Sequence, residues 1–313
     1  MKRIIVAAFV FALLFSIEVS SKPVLLRYQY YAGDVYIYSM EAHGSGKLVT
    51  TIKYNKDQNG RKPVVNELPI NMDMKMSIDT EVESVEKDGT SKQLTRINEY
   101  KLVTDGKVII DFNKDTNVNE TGDDIIKSFK NLIKNPIRTD VDTRGVIKKM
   151  AGIEQLTNVE SSMDLTGLLE QLQVPLPEKP VEVGDEWTQK IDMNFAKIAG
   201  KDNVFDFSFK LAGYEDVKEL RCAKIHLVGK GDLKSVLKKM MPDIQNTNIT
   251  FNKTDFIIEG DMYFATAEGL LVAFDFSMTQ KMDGDIEIKG ENDDTQIINL
   301  LLDMKMDGFT ELE

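Results

Sequence analysis

Methionine offers the most open chemistry in this sequence, with 15 copies in 313 residues. Met72, Met74 and Met76, followed by Ile78, alternate with Asp73, Lys75 and Ser77, and Met304 and Met306 repeat the pattern near the C-terminus. Alternate residues of a strand share a face, so each set forms a row with about 6.6–7 Å between successive members. Three roles fit such a row. Thioethers are soft ligands for Cu(I). Unbranched, polarizable side chains also line adaptable apolar cavities, and they fill ordinary cores. Met72, Met74, Met76 and Ile78 are therefore the candidate ligand-binding surface, with a lipid or other apolar small molecule as the candidate partner. Core packing is the plainer reading, and copper handling a further alternative.

Catalytic groups are sparse. The two histidines, His43 and His226, have no metal-ligand spacing, and no Gly-x-Ser-x-Gly, His-Glu-x-x-His, P-loop or paired-Cys pattern is present. Cys222 and His226 share a face of one expected strand but lie roughly 13 Å apart, too far for a Cys–His dyad. Asp111 to Asn117 places oxygens at alternate positions like a calcium loop, but Thr116 replaces the required Gly. No catalytic residue, metal or cofactor is implied, and a non-enzymatic protein is expected.

The elements that would carry these residues read mainly as strands. Met72 to Glu81, Val204 to Leu211 and Leu300 to Asp307 alternate with period two, and Val108 to Phe112 and Ala223 to Val228 are short strands. Lys87-Asp88-Gly89 and Asp283-Gly284-Asp285 read as turns, Gly260 as a strand break and His43-Gly44-Ser45-Gly46 as a flexible loop. Three apolar stripes read as short helices: Ile125 to Lys134, Leu165 to Leu172, and Leu233 to Met241. The expected class is α+β, mostly antiparallel β. Its two related curved-sheet halves carry short covering helices, in the manner of an open-barrel lipoprotein carrier.

Pro175 to Pro180 reads as a linker between residues 22–174 and 181–313. Each half opens alike, Gly33-Asp34-Val35-Tyr36 in one and Gly184-Asp185-Glu186-Trp187 in the other. Gly-Asp makes a turn, and Tyr36 or Trp187 then starts a strand by packing inward. A second pair, Asp140 to Ile147 and Phe264 to Leu271, reads as strand, glycine turn, strand. Both pairs point to an internal duplication.

Met1 to Ser21 has a cationic start, an apolar run from Ile4 to Phe15 and small residues at Val19 and Ser21. That is the layout of a secretory signal peptide, and the run is too short for the roughly 20 residues of a membrane span. A secreted or periplasmic protein, soluble after cleavage, is expected. The single Cys222 excludes an intramolecular disulfide, and the net charge of −12 disfavours nucleic acid. Residues 125–150 depart from this balance, with seven Lys or Arg against two Asp. The segment fits peripheral contact with anionic headgroups, and fits a solvated helix face more simply.

Pro177-Glu178-Lys179-Pro180-Val181-Glu182-Val183-Gly184-Asp185-Glu186-Trp187 resembles the Pro-x-x-Pro-Val-x-x-Gly-Asp-x-Trp segment of uncharacterised bacterial secreted proteins and lipoproteins. The hairpins at Val141 to Gly152 and around Glu268-Gly269 are similar to two further features of those families. The resemblance implies an extracytoplasmic β-rich protein and no known reaction. Many relatives carry a lipid on an N-terminal Cys, which this sequence lacks. The expected function is a secreted binding protein for an apolar ligand such as a lipid. A structural or interaction protein of the cell envelope is the alternative.

Overall fold

The computed structural model describes residues 22–54, 62–113, 136–151, 175–192, 204–234, 247–289 and 295–313. Their elements are all strands: β1 (Val35–Tyr54), β2 (Val64–Val85), β3 (Ser91–Thr104), β4 (Lys107–Asn113), β5 (Ile137–Val141), β6 (Ile147–Ala151), β7 (Glu186–Asp192), β8 (Val204–Val217), β9 (Leu220–Asp232), β10 (Thr247–Ala265), β11 (Leu270–Lys289) and β12 (Thr295–Leu312). They form one antiparallel sheet of 12 strands in the order β6-β5-β3-β2-β1-β12-β11-β10-β9-β8-β7, with β4 on the edge of β3.

The expected α+β class is thus corrected to all-β, and the expected pair of helix-covered sheets to a single continuous sheet. The joint is β12, which pairs with β1 along Tyr38↔Leu312 to Tyr54↔Gln296 and with β11 along Ala273↔Glu311 to Lys289↔Thr295. A strand hydrogen-bonded on both sides over its whole length leaves no seam there. The stripes at 125–134 and 165–172, and all of the third beyond Lys234, lie outside the described residues, as do residues 1–21.

Three glycine signals also mislead. His43-Gly44-Ser45-Gly46 lies inside β1, Gly260 inside β10 and Gly284 inside β11. These glycines permit close approach rather than turning the chain. A Cβ on Gly46 would meet the Asp303 carbonyl oxygen at 2.4 Å, and one on Gly260 the Asp275 carbonyl oxygen at 2.2 Å. The Lys87-Asp88-Gly89 turn is present, with Gly89 at φ 86°.

The two Gly-Asp segments take up the same local structure. Gly33 (φ 94°) and Gly184 (φ 98°) are both left-handed, the conformation glycine adopts without strain. Gly33 N–H donates to the Val82 carbonyl and Val82 N–H to that of Asp34. Likewise Gly184 N–H donates to Leu211 and Leu211 N–H to Asp185. Tyr36 and Trp187 are then the second residues of β1 and β7.

One end of the sheet is curled and closed. Five strand spacings separate β5 from β11 in the sheet order, roughly 24 Å if the sheet were flat. Yet the adjacent residues Tyr28 and Gln29 bridge them: Tyr28 N–H donates to Thr143 in the β5–β6 turn, and Gln29 N–H to Gly269 in the β10–β11 turn. The Pro-rich segment joins the same closure. Leu176 N–H donates to Arg144, Val181 exchanges backbone bonds with Val24, and the Arg27 guanidinium donates to Leu26 and Pro177.

The period-two pattern then separates two faces. The outer face carries cross-strand ion pairs such as Lys75–Glu41 at 3.9 Å and Lys281–Asp303 at 3.6 Å. The inner face is apolar and holds two packed clusters. Phe205, Phe207, Phe209, Leu211, Ile225, Leu227, Met262 and Phe264 pack beneath Leu26, Tyr28 and Leu176. Met40, Met76, Ile78, Ile97, Tyr100, Ile110 and Ile137 form the other cluster. A small third one surrounds buried Cys222.

Candidate functional site at the closed end of the apolar face

The site forms where the two large clusters meet beneath the N-terminal segment. β1 supplies Tyr36 and Tyr38, β2 supplies Ile78 and Thr80, β3 supplies Gln93 and Thr95, and β5 supplies Ile137 and Thr139. Leu271 and Phe274 close the far side, and Tyr28 and Tyr30 form the roof. Together they line an open-sided cavity of about 100 Å³. These residues converge because strand residues of one parity share a face and the sheet curls that face inward.

Most polar groups of the wall are satisfied within it. The Tyr38 hydroxyl donates to the Leu271 carbonyl at 3.0 Å, Thr80 and Thr95 share a bond at 3.1 Å, and Gln93 Nε2 donates to Ser91 Oγ at 2.8 Å. Two are not: the buried hydroxyls of Thr139 and Thr310 have no hydrogen-bond partner. Burial pushes the phenols of Tyr28 and Tyr38 well above their ordinary value, as it does that of Tyr30. The tyrosines therefore stay neutral, and no carboxylate, amine or guanidinium belongs to the wall. Such a space suits apolar matter with an uncharged polar end.

The methionine row lies on this inner face with graded burial. Ile78 lines the cavity. Met76 is 3% exposed and packs with Met40 and Tyr100, and Met74 rests against the same cluster. Met72 is half-buried, its side chain over Gly44. Beyond it the apolar face continues along the long strands. Leu48, Leu68, Ile70, Ile286, Ile298, Leu300 and Leu302 are all partly or fully exposed, and Leu68 is 57% exposed. Among the described residues none of these seven belongs to a packed cluster.

Tyr28, Tyr30, Tyr38, Thr139 and Thr310 were not legible as site residues. The one usable signal is the crowding of five tyrosines between Tyr28 and Tyr38.

The histidines belong to the outer face. His43 Nδ1 is 2.6 Å from Asp73, and His226 Nδ1 is 2.8 Å from Asp261 with Nε2 3.6 Å from Glu259. Among the described residues no group of three His, Cys, Asp or Glu side chains is placed to hold a metal. The described part of the basic segment is largely ion-paired. Lys148 meets Asp142 at 2.9 Å, Arg144 meets Glu178 at 3.0 Å and Arg138 meets Glu83 at 3.9 Å. Among the described residues no helix is long and apolar enough to cross a membrane.

Fold and cavity together define an all-β protein built on one curled antiparallel sheet. No protein-family model matches the chain, and no curated protein matches it. Among solved structures it is similar to lipovitellin, in a structure concerned with lipid–protein interactions, at 12% identity and a TM-score of 0.44 over 91% of this chain and 25% of that one. The chain thus spans about a quarter of the lipovitellin chain it matches. A second similar structure is the outer membrane protein OprG of Pseudomonas aeruginosa, at 9% identity and a TM-score of 0.23 over 91% and 98% of the two chains. A third is DynF from the dynemicin biosynthesis pathway of Micromonospora chersina, at 7% identity and a TM-score of 0.17 over 94% and 92%. The resemblance is that of a distant β-sheet protein, and all three scores lie below one half.

Proposed function

We propose that this chain is an exported, non-enzymatic binding protein that holds an apolar ligand, a lipid or acyl chain, against the inner face of its sheet. One observation carries the reading. The inner face stays apolar far beyond the two packed clusters, from Met72 through Leu48, Leu300 and Ile286, while the outer face is charged. An antiparallel sheet with one wet face is stable when its dry face is covered. Exposed apolar surface costs roughly 25 cal/mol per Å², and an acyl chain laid along it removes that cost. Methionine suits the lining, because its flexible thioether adapts to chains of differing shape.

Met72, Met74 and Ile78 border the ligand in this reading, and buried Met76 supports them. Native mass spectrometry of the mature protein tests it. A co-purifying lipid mass removed by organic extraction is expected, as is uptake of a pyrene-labelled hydrocarbon by the extracted protein. A clean apo mass together with no uptake of that probe overturns the proposal.

A further inference from the structure

We infer that the cavity at the curled end of the sheet recognises the uncharged polar end of the ligand, a hydroxyl or an ester carbonyl, through the hydroxyls of Thr139 and Thr310. The inference rests on the proposed binding of an apolar ligand and names which class of lipid is preferred.

Thr139 is 7% exposed and Thr310 6%, and neither has a hydrogen-bond partner. A buried hydroxyl left without a partner is destabilising, and folded proteins leave few of them. Both side chains line the same cavity. They come from strands four spacings apart in the sheet, β5 and β12, and reach one cavity because the sheet curls. Two side chains with orphaned hydroxyls line one space from distant strands, and rotation about the Cα–Cβ bond turns either hydroxyl toward a hydrogen-bonding guest there.

The rest of the wall limits that guest. Thr80 and Thr95 bond each other, Tyr38 is taken by Leu271, and Gln93 by Ser91. No cationic side chain lines the cavity, so a carboxylate or phosphate brought there would lose its hydration without an opposite charge. The volume of about 100 Å³ takes a small polar group with a few carbons and not a whole lipid. The chain of the ligand then leaves through the open side of the cavity. A fatty alcohol, a sterol or an acylglycerol fits this description, and a free fatty acid at neutral pH does not.

The test uses the full mature chain after organic extraction. It is incubated with an equimolar mixture of 1-octadecene, oleyl alcohol and oleate at pH 8, and the retained lipids are quantified after gel filtration. Oleyl alcohol is expected to exceed 1-octadecene by about tenfold, the worth of one to two net hydrogen bonds, and to exceed oleate by more. In a Thr139→Val, Thr310→Val double variant the preference for the alcohol over the alkene is expected to vanish. In a Thr139→Ser, Thr310→Ser variant it is expected to persist.

Retention of 1-octadecene equal to oleyl alcohol, or preferential retention of oleate, overturns this inference and leaves the binding proposal standing. A Val double variant that gains stability but keeps the alcohol preference marks the hydroxyls as water-binding only, and overturns it too. Retention of none of the three lipids overturns both. The ranking on the unmodified chain decides the matter even if the Val variant does not fold.

Discussion

The two clusters on the inner face solve the same packing problem with different side chains. In the C-terminal cluster, rings sit on glycines. Phe205 and Phe207 press against Gly231 and Gly229 so closely that a Cβ there would lie 2.1 Å and 2.4 Å from the ring carbons. Phe209 stacks between Trp187 at 5.5 Å and Phe207 at 6.1 Å. In the N-terminal cluster, methionines and tyrosines meet branched aliphatics, and the cavity opens along Ile78 and Ile137. Flat rigid rings over bare backbone leave little room for adjustment, whereas flexible thioethers leave much. The difference assigns anchoring to one region and accommodation to the other.

The largest effect is expected at Phe209, which is 1% exposed. Phe209→Ala should cost about 3–5 kcal/mol in urea unfolding, since the stacked neighbours cannot collapse into the gap. Met76→Ala, at a similarly buried site in the adaptable cluster, should cost nearer the lower end of about 2–5 kcal/mol, because flexible neighbours can close on the gap. Equal losses for the two would erase the contrast.

A matched pair of glycines tests the same contrast with one substitution. Gly231→Ala drives a methyl into the Phe205 ring and should cost about 1–3 kcal/mol. At Gly44 the new Cβ would meet the tip of Met72 at 3.4 Å, an ordinary contact with a flexible end. Gly44→Ala should therefore be neutral or gain up to about 1 kcal/mol through the stiffer unfolded chain. A clear loss at Gly44, measured by the same unfolding transition, would show that the methionine side is packed as rigidly as the aromatic one.

Strand alternation made much of this arrangement legible beforehand. Met72, Met74, Met76 and Ile78 do share the inner face, and Phe205, Phe207 and Phe209 share it in β8. Glycine was harder to interpret. Gly46, Gly260 and Gly284 carry the local signature of turns, and only the partner strand, distant in sequence, shows that they admit close approach. The cavity was hidden for a related reason. Thr139 and Thr310 are unremarkable residues in alternating strands, and they line one cavity only through a curl held by the backbone bonds of Tyr28 and Gln29. The continuous sheet was equally remote from local pattern, because β1 and β12 pair across nearly the whole chain.

The smallest expected effect concerns that closure and depends on pH. Tyr28 and Leu176 both hold on to the β5–β6 turn, and Asp142 organises it: its Oδ1 accepts the N–H groups of Arg144 and Val146 at 2.9 Å each. Burial pushes the Asp142 carboxyl up, but the bond to Lys148 and the two backbone bonds outweigh it and hold the group below its ordinary value. A carboxyl depressed in the folded state adds stability that is complete above the unfolded value, 3.8, and is lost as pH falls through the folded one. Acidification to about pH 3 should begin to loosen this side of the closed end, since the loss starts below the unfolded carboxyl value. In Asp142→Asn the turn is already weakened by about 1 kcal/mol at neutral pH, because the charge-assisted bonds are gone. The urea midpoints of the two proteins should therefore differ at pH 7 and draw together toward pH 3. A constant difference across that range would mean that the carboxyl charge of Asp142 has no part in holding the turn beneath Tyr28.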